Sequence, residues 1–309
     1  MSAMPSIDIC VCTFRRRELA DTLRSLAAMD LPEGYRIGIV VADNDEVPSA
    51  AELVSALAQE LSLEVRYVHC PARNISLARN ACLDASSADF VAFIDDDEKA
   101  TGMWLKRLVE TAQATGAEVV LGPVKARYGA GAPGWMQVGD FHSTYPVFVR
   151  GEIRTGYTCN ALLRIASPSL AGRRFSLARG QSGGEDTEFF DQVFRAGGRI
   201  AYAPEAWVEE PVPASRTSFG WLTKRRFRVG QTHGRLLGAK RGGAGRFGEL
   251  VRASAKAGYC FAAAGLTVLQ PVSRNRSLLR GVMHLGVLSG LAGARELRLY
   301  GNKGGEDAA

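Results

Sequence analysis

Phe90-Val91-Ala92-Phe93-Ile94-Asp95-Asp96-Asp97-Glu98 joins five apolar residues to four consecutive acids. The apolar run predicts a strand buried on both faces, and the acids then stand at its carboxyl end. Working outward, strand-like runs at 7–12, 36–42 and 64–69 alternate with helical patterns at about 16–29, 49–61, 76–86 and 103–115, and Gly, Pro or Asp marks the boundaries. This alternation predicts an α/β fold, a mostly parallel sheet flanked by helices. Ligands of open α/β sheets bind beyond the carboxyl ends of the strands, where these acids are expected.

Carboxylates packed this closely raise one another's pKa values unless a cation sits among them. Hard oxygen ligands with no Cys or His close by in sequence suit Mg²⁺ or Mn²⁺, which bind through one or two carboxylates and the phosphates of a substrate. The competing reading is a solvated acidic turn after a strand.

The rest of the chain narrows the class. Of 309 residues, 46% are hydrophobic, enough for a sizeable core. The opening Ile7-Asp8-Ile9-Cys10-Val11-Cys12 reads as a strand and not as a leader, so a cytoplasmic protein is expected. The six cysteines lack zinc-site spacing and disulfide-scaffold density, which predicts reduced thiols. Charge divides sharply: residues 1–215 carry net −7, and residues 216–300 carry net +14. The expected organisation is a domain over 1–215, a basic, partly apolar helical region over 216–300 and a flexible tail over 301–309. Basic stretches of this kind attract nucleic acid, anionic lipid or phosphorylated ligands.

After Val119-Val120-Leu121-Gly122-Pro123 the rhythm breaks into a Gly/Pro/aromatic stretch at 128–146, followed by a strand-like run at 157–164. Gly183-Gly184-Glu185-Asp186 precedes a helix bearing Phe189, Phe190, Val193 and Phe194, and a short strand is expected at 199–203. Basic helices follow from Thr217. Two apolar pieces, 259–269 and 278–291, fall short of the roughly 20 residues that span a bilayer. Packed helices account for them as well as interfacial ones do; the surrounding Arg and Lys favour a membrane surface.

Cys12-Thr13-Phe14-Arg15, Ala42-Asp43-Asn44-Asp45, Ala78-Arg79-Asn80, Asp95–Asp97 and Gly184-Glu185-Asp186 occur in one order. This set closely resembles the inverting family 2 glycosyltransferases of the GT-A (Rossmann-like) fold, over the start of the chain to about residue 215. Arg225-Arg226-Phe227-Arg228-Val229-Gly230-Gln231 and the overall length resemble the bacterial branch that builds exopolysaccharide repeat units, the succinoglycan-biosynthesis glucosyltransferases in particular.

The resemblance implies roles for individual residues. Thr13 and Arg15 would meet base and phosphate, Asp43 the nucleoside, and Arg79 uracil or diphosphate. Asp95 would lie on the nucleotide side and Asp97 would ligate the metal of a D-x-D element, with Asp96 ambiguous between the two. Glu98 would begin the next loop or contact sugar hydroxyls. Asp186 of the Glu185-Asp186 pair would be the general base. Each has a plainer competitor: a helix cap for Asp43 and for Asp186, a solvated charge for Arg79. Relatives often place a metal-binding His after the following strand, where this chain has Trp207-Val208-Glu209-Glu210-Pro211; Glu210 would ligate instead. Asn160 would contact the donor sugar or satisfy buried backbone, and Trp135 would stack on an acceptor ring or pack a loop. Arg225, Arg226 and Arg228 would clamp diphosphate or face lipid headgroups.

The expected activity is metal-dependent transfer of a hexose, glucose from UDP-glucose, to a lipid-linked oligosaccharide by an enzyme peripheral to the anionic inner membrane. Two rivals share some of these features. A sugar nucleotidyltransferase also uses carboxylates, metal and a nucleotide fold, but no Gly-rich basic triphosphate loop stands near the first strand. A membrane- or RNA-binding scaffold would use only the basic region. No nucleic-acid-reading motif is present, so no nucleic-acid partner is expected.

Overall fold

A computed structural model of the chain describes residues 4–180, 183–240, 243–295 and 297. The expected tail at 301–309 lies outside the described residues. In chain order the first half runs β1 (Ser6–Thr13), α1 (Leu19–Ala27), β2 (Arg36–Asp43), α2 (Ala51–Glu60), β3 (Glu64–His69), α3 (Ile75–Ala85), β4 (Phe90–Asp95), β5 (Lys99–Ala100), α4 (Trp104–Thr115), β6 (Val119–Leu121) and β7 (Val124–Tyr128). Then follow α5 (Gly134–Gly139), β8 (Phe148–Val149), β9 (Glu152–Ile153), β10 (Asn160–Arg164), α6 (Glu185–Arg195), β11 (Ile200–Tyr202), β12 (Val208–Val212), α7 (Phe219–Lys240), α8 (Gly243–Leu266) and α9 (Pro271–Leu291).

The described residues fall into two compact units. The first comprises Met1–Ala126, Ser143–Gln181 and Glu185–Pro211. Its seven-stranded sheet has the order β11-β6-β10-β4-β1-β2-β3. β1 pairs in parallel with β2 and β4, and β2 with β3, whereas β10 runs antiparallel to β4 and β6. Central strands are apolar on both faces because helices cover both: Ile7, Ile9 and Val11 point to one buried cluster and Cys10 to the other.

Register, more than any single residue, builds the site. Thr13 pairs with Asp43, Cys12 with Asp95 and Asp43 with His69, so β1, β2, β3 and β4 all end along one edge. The antiparallel β10 starts at that edge, because its first residue, Asn160, pairs with Ile94.

The second unit comprises Arg127–His142, Ser182–Gly184 and Val212–Ala309. α7 and α9 touch through backbone: a Cβ on Gly230 would lie 2.0 Å from the Met283 carbonyl oxygen, and one on Gly286 would lie 2.1 Å from that of Phe227. Met136, Phe141, Leu222 and Leu279 form a separate apolar cluster, with Trp135 packed against it. Trp135 stands edge-on to Phe141 at 5.0 Å, which supports the loop-packing reading. Within 278–291, Leu279, Val287 and Leu291 are buried in the helix packing, which corrects the expectation of an inserted piece there. No helix among the described residues is long and apolar enough to cross a membrane.

Candidate active site

Local chemistry fixes the acidic turn. Asp95 ends β4, and Glu98 folds back so that its carboxyl accepts the Asp95 N–H at 2.9 Å, closing the turn. Glu98 is therefore buried and unavailable as a contact for sugar hydroxyls, and burial pushes its pKa well above the usual range, with Asp95 and Glu210 adding to the effect. Asp96 is held from two sides: Thr13 Oγ1 donates to its carboxylate at 2.7 Å, and Thr22 Oγ1 donates to its carbonyl at 3.0 Å. Thr13 thus braces the acidic turn through its side chain. Burial pushes Asp96 up to about 7, with the charge of Asp97 next in weight.

Burial also pushes Asp95 up to about 7; Asp97, Glu210 and Asp186 add to the shift and Arg79 opposes it. The solvated-turn reading fails on this count, because the acids converge in a poorly hydrated place. Two arginines, Arg79 and Arg16, answer part of the charge. Arg16 Nη2 lies 3.3 Å from Asp97 and its Nε 3.7 Å from Asp96. Arg15 turns the other way, to Asp45 at 2.7 Å, with φ at 55°. Arg16 and not Arg15 is therefore the arginine at the acidic turn, and nothing in the run Arg15-Arg16-Arg17 singles it out.

Arg79 occupies the second turn of α3, whose start is capped by the Asn74 side chain accepting from Ser76 and Leu77 N–H. It is neither a solvated charge nor an open phosphate ligand. Its Nη1 donates to Glu185 Oε1 at 2.6 Å, with both side chains 8% exposed. Burial opposes its charge, but Glu185, Asp186 and Asp95 outweigh burial and hold its pKa above the ordinary value. Glu185 Oε2 is buried and has no hydrogen-bond partner among the described residues.

Asp186 lies in the first turn of α6, beside Glu185 and Glu188, where the helix dipole favours negative charge. Its Oδ1 accepts the Thr187 N–H at 2.7 Å, and its side chain keeps partial exposure. Desolvation raises its pKa, Glu185 raises it further, and Arg79 pulls it back. The residues before it in the chain, Gly183 and Gly184, have φ of 83° and 88°, a backbone that side chains other than glycine rarely adopt. A proton acceptor held at a helix start, ionised but easily protonated, is what general-base work requires.

Two expected ligand contacts are corrected. Asp43 is fully buried: Oδ1 accepts from Asp45 N–H at 3.0 Å, and Oδ2 accepts from Ala50 N–H and the Tyr67 hydroxyl, each at 2.8 Å. It caps the start of α2 from a distance, which Pro48 does not prevent because the loop 44–49 curls back to the strand end. Asn160 is equally enclosed. Its Oδ1 accepts from Trp104 Nε1 at 2.8 Å and its Nδ2 donates to the Pro123 and Ala206 carbonyls, so the amide ties β10 to α4 and to the segments after β6 and before β12 and is used up by protein.

For a cation, the donor set decides. Oxygens of Asp95 and Asp97, with Glu210 close enough to shift Asp95, suit a hard divalent ion. The three potential ligand atoms found within 4.8 Å of one another among the described residues belong to Asp95, Glu98 and Cys159. Cys159 is a poor member of that group: burial raises its thiol pKa well above the usual value, and a neutral sulfur does not suit Mg²⁺ or Mn²⁺. The carboxylates are of the type that suits the ion and the thiol, which precedes β10, is not; of the expected set, Asp97 and Glu210 do not fall in that group. Within the second unit, Arg225 lies over the Trp221 ring at 5.4 Å, and the Arg228 guanidinium packs against Gly183.

Comparisons with known proteins give the family and the fold. A glycosyl transferase family 2 profile matches residues 8–179. Succinoglycan biosynthesis protein ExoM of Rhizobium meliloti (strain 1021) is 59% identical over 295 residues, covering 96% of each protein. The structure of S. aureus TarS 1–349 in complex with UDP-GlcNAc superimposes with a TM-score of 0.53 at 16% identity, over 94% of this chain and 92% of that one. A longer TarS crystal structure gives 0.52 at 19% identity, and this chain spans about half of it, 52%. At such identities the likeness to TarS establishes the GT-A fold.

Proposed function

Since the chain belongs to glycosyl transferase family 2 and is a glycosyltransferase, we propose that it moves a hexose, glucose from UDP-glucose, with inversion onto a lipid-linked oligosaccharide of a succinoglycan-type exopolysaccharide. Kinship with ExoM supports the polysaccharide, and the UDP-GlcNAc complex of TarS supports a uridine nucleotide donor. The acceptor would be met at the cytoplasmic face of a bacterial inner membrane.

The observation that carries this reading is the Arg79–Glu185–Asp186 arrangement at the carboxyl edge of the sheet. In an inverting transfer the acceptor oxygen attacks the anomeric carbon as the bond to the nucleoside diphosphate breaks. Asp186 receives the acceptor's proton on its carboxylate. Arg79 holds Glu185 and keeps Asp186 ionised. Asp97 and Asp95, with Glu210, are the residues that would hold Mn²⁺ or Mg²⁺, an ion that neutralises charge growing on departing UDP. Arg16 adds a fixed positive charge at the same turn, and Thr13 keeps Asp96 in place. Arg15 with Asp45 shapes the loop for the base.

Purified protein incubated with a panel of nucleotide sugars, Mn²⁺ and a membrane-lipid extract tests it. Release of UDP with sugar appearing on lipid is expected. No release of UDP and no sugar on lipid with any UDP-sugar of the panel would overturn it.

A further inference from the structure

α8 is inverted relative to an ordinary surface helix. Its inward face carries Glu249, Ala253, Ala257, Cys260 and Ala264. Its outward face carries Phe247, Val251, Tyr259 and Leu266, exposed by 68%, 53%, 76% and 89%, with Ala255, Gly258 and Ala262 between them. These positions follow the three- and four-residue spacing of one helical stripe, and no charged residue interrupts it. The turn that ends the helix adds Val268 and Leu269, the latter 91% exposed. A solvent-facing stripe of a soluble helix is expected to be polar; this one runs roughly 30 Å, from Phe247 to Leu266 at the helical rise.

Charge is arranged around the stripe and not within it. Arg252 and Lys256 lie at one border, both exposed. The acid of this helix, Glu249, faces inward and is paired with Arg252 at 3.2 Å. Lys256 comes near His284, where it acts together with Arg280 and His233 to depress the imidazole pKa after burial, so the positive charge continues from α8 onto α9. An apolar stripe bordered by basic residues, with its acid turned away, is complementary to the interface of an anionic bilayer. A packing partner made of protein would be expected to present acids to this border; a second copy of this chain presents the same basic residues and repels.

We propose that α8 lies in the headgroup plane of an anionic membrane, with Phe247, Val251, Tyr259, Leu266 and Leu269 inserted and Lys256 against lipid phosphate. None of these residues belongs to the transfer site, and vesicle binding needs neither donor nor acceptor, so its failure would leave the glycosyl-transfer reading standing.

The test uses the full chain carrying Phe247→Ser, Tyr259→Ser, Leu266→Ser and Leu269→Ser together. All four side chains are exposed, so the melting temperature and UDP-sugar hydrolysis in detergent-free buffer should stay at wild-type values. Sedimentation with vesicles of phosphatidylglycerol and phosphatidylcholine should show partitioning reduced at least about a hundred-fold by the lost apolar contacts. Lys256→Gln alone should weaken it roughly five-fold, the equivalent of about 1 kcal/mol per basic residue, and reduce its salt dependence. Wild-type protein that ignores anionic vesicles at low salt, or a quadruple variant that binds them as well as wild type, would overturn the proposal. So would light scattering that shows a wild-type dimer which the quadruple variant abolishes, since the stripe would then join copies of the chain.

Discussion

Replacing Arg79 by Met removes the guanidinium from the middle of the acidic site at nearly constant volume. In the native arrangement Glu185 Oε1 accepts from Arg79 at 2.6 Å, and Glu185 Oε2 has no partner among the described residues. The variant leaves that carboxylate buried at 8% exposure, next to Asp186 and without its counter-charge. Breaking one side of a buried pair costs about 3–5 kcal/mol, whereas replacing both sides by apolar residues is often neutral. Arg79→Met should therefore lower the melting temperature by roughly 6–20 °C, taking about 2–4 °C per kcal/mol for a chain of this class. The double variant Arg79→Met/Glu185→Leu should recover most of that loss. Urea titration followed by circular dichroism gives the two midpoints directly. The reasoning also fixes a sign in catalysis: Arg79 lowers the Asp186 pKa, so at a temperature where the variant is folded the acid limb of its transfer rate should move to higher pH. A single variant within about 1 kcal/mol of wild type, with an unmoved acid limb, would refute the claim that Arg79 is the internal counter-ion.

Further outcomes follow from the same geometry. Asp97→Ala should abolish Mn²⁺-stimulated donor turnover while leaving the fold intact; normal activity with unchanged Mn²⁺ dependence would remove Asp97 from the metal site. Asp43→Ala should lower stability by about 1–3 kcal/mol through the lost acceptor of Asp45, Ala50 and Tyr67 groups, yet leave UDP affinity per folded molecule near wild type, as calorimetry would show. Asp95 and Asp96 are raised in the fold to about 7, above their unfolded values, so their contribution is present at low pH and is lost as pH rises through about 7. Protein in chelator should accordingly melt at a higher temperature at pH 6 than at pH 8, and added Mn²⁺ should narrow the gap; a flat profile in chelator would contradict the burial of these acids.

The sheet was legible because its strands are long apolar runs punctuated by turns: the predicted 64–69 coincides with β3, and 36–42 and 90–94 each fall one residue short of β2 and β4. Their last residues, Asp43 and Asp95, are polar groups that the ladder carries one step past the apolar pattern. The strand-like 157–164 shortens to β10 because Tyr157 turns its hydroxyl to the Gly122 carbonyl at 2.8 Å before the ladder begins. Site residues were legible by type and less so by role. A carboxylate at a strand end looks the same in sequence whether it faces a ligand or, like Asp43, takes three protein donors, because those donors come from residues up to 24 positions away. Arg79 and Glu185, 106 positions apart, meet only in the folded chain. Hydropathy marked 259–269 and 278–291 alike, but only packing tells the exposed stripe of α8 from the buried Leu279, Val287 and Leu291 of α9.

The account rests on Asp186 as the base of an inverting transfer, and one comparison tests it most directly: wild type against Asp186→Asn, with UDP affinity by calorimetry and transfer to lipid-linked acceptor by product analysis. The isosteric amide keeps the helix start and cannot take a proton. UDP affinity should stay within about two-fold, a difference under 0.5 kcal/mol, transfer should fall by about 10²–10⁴, and the wild-type product should carry the anomeric configuration opposite to the donor's. Transfer retained by folded Asp186→Asn, or a product with the donor's configuration, would contradict it.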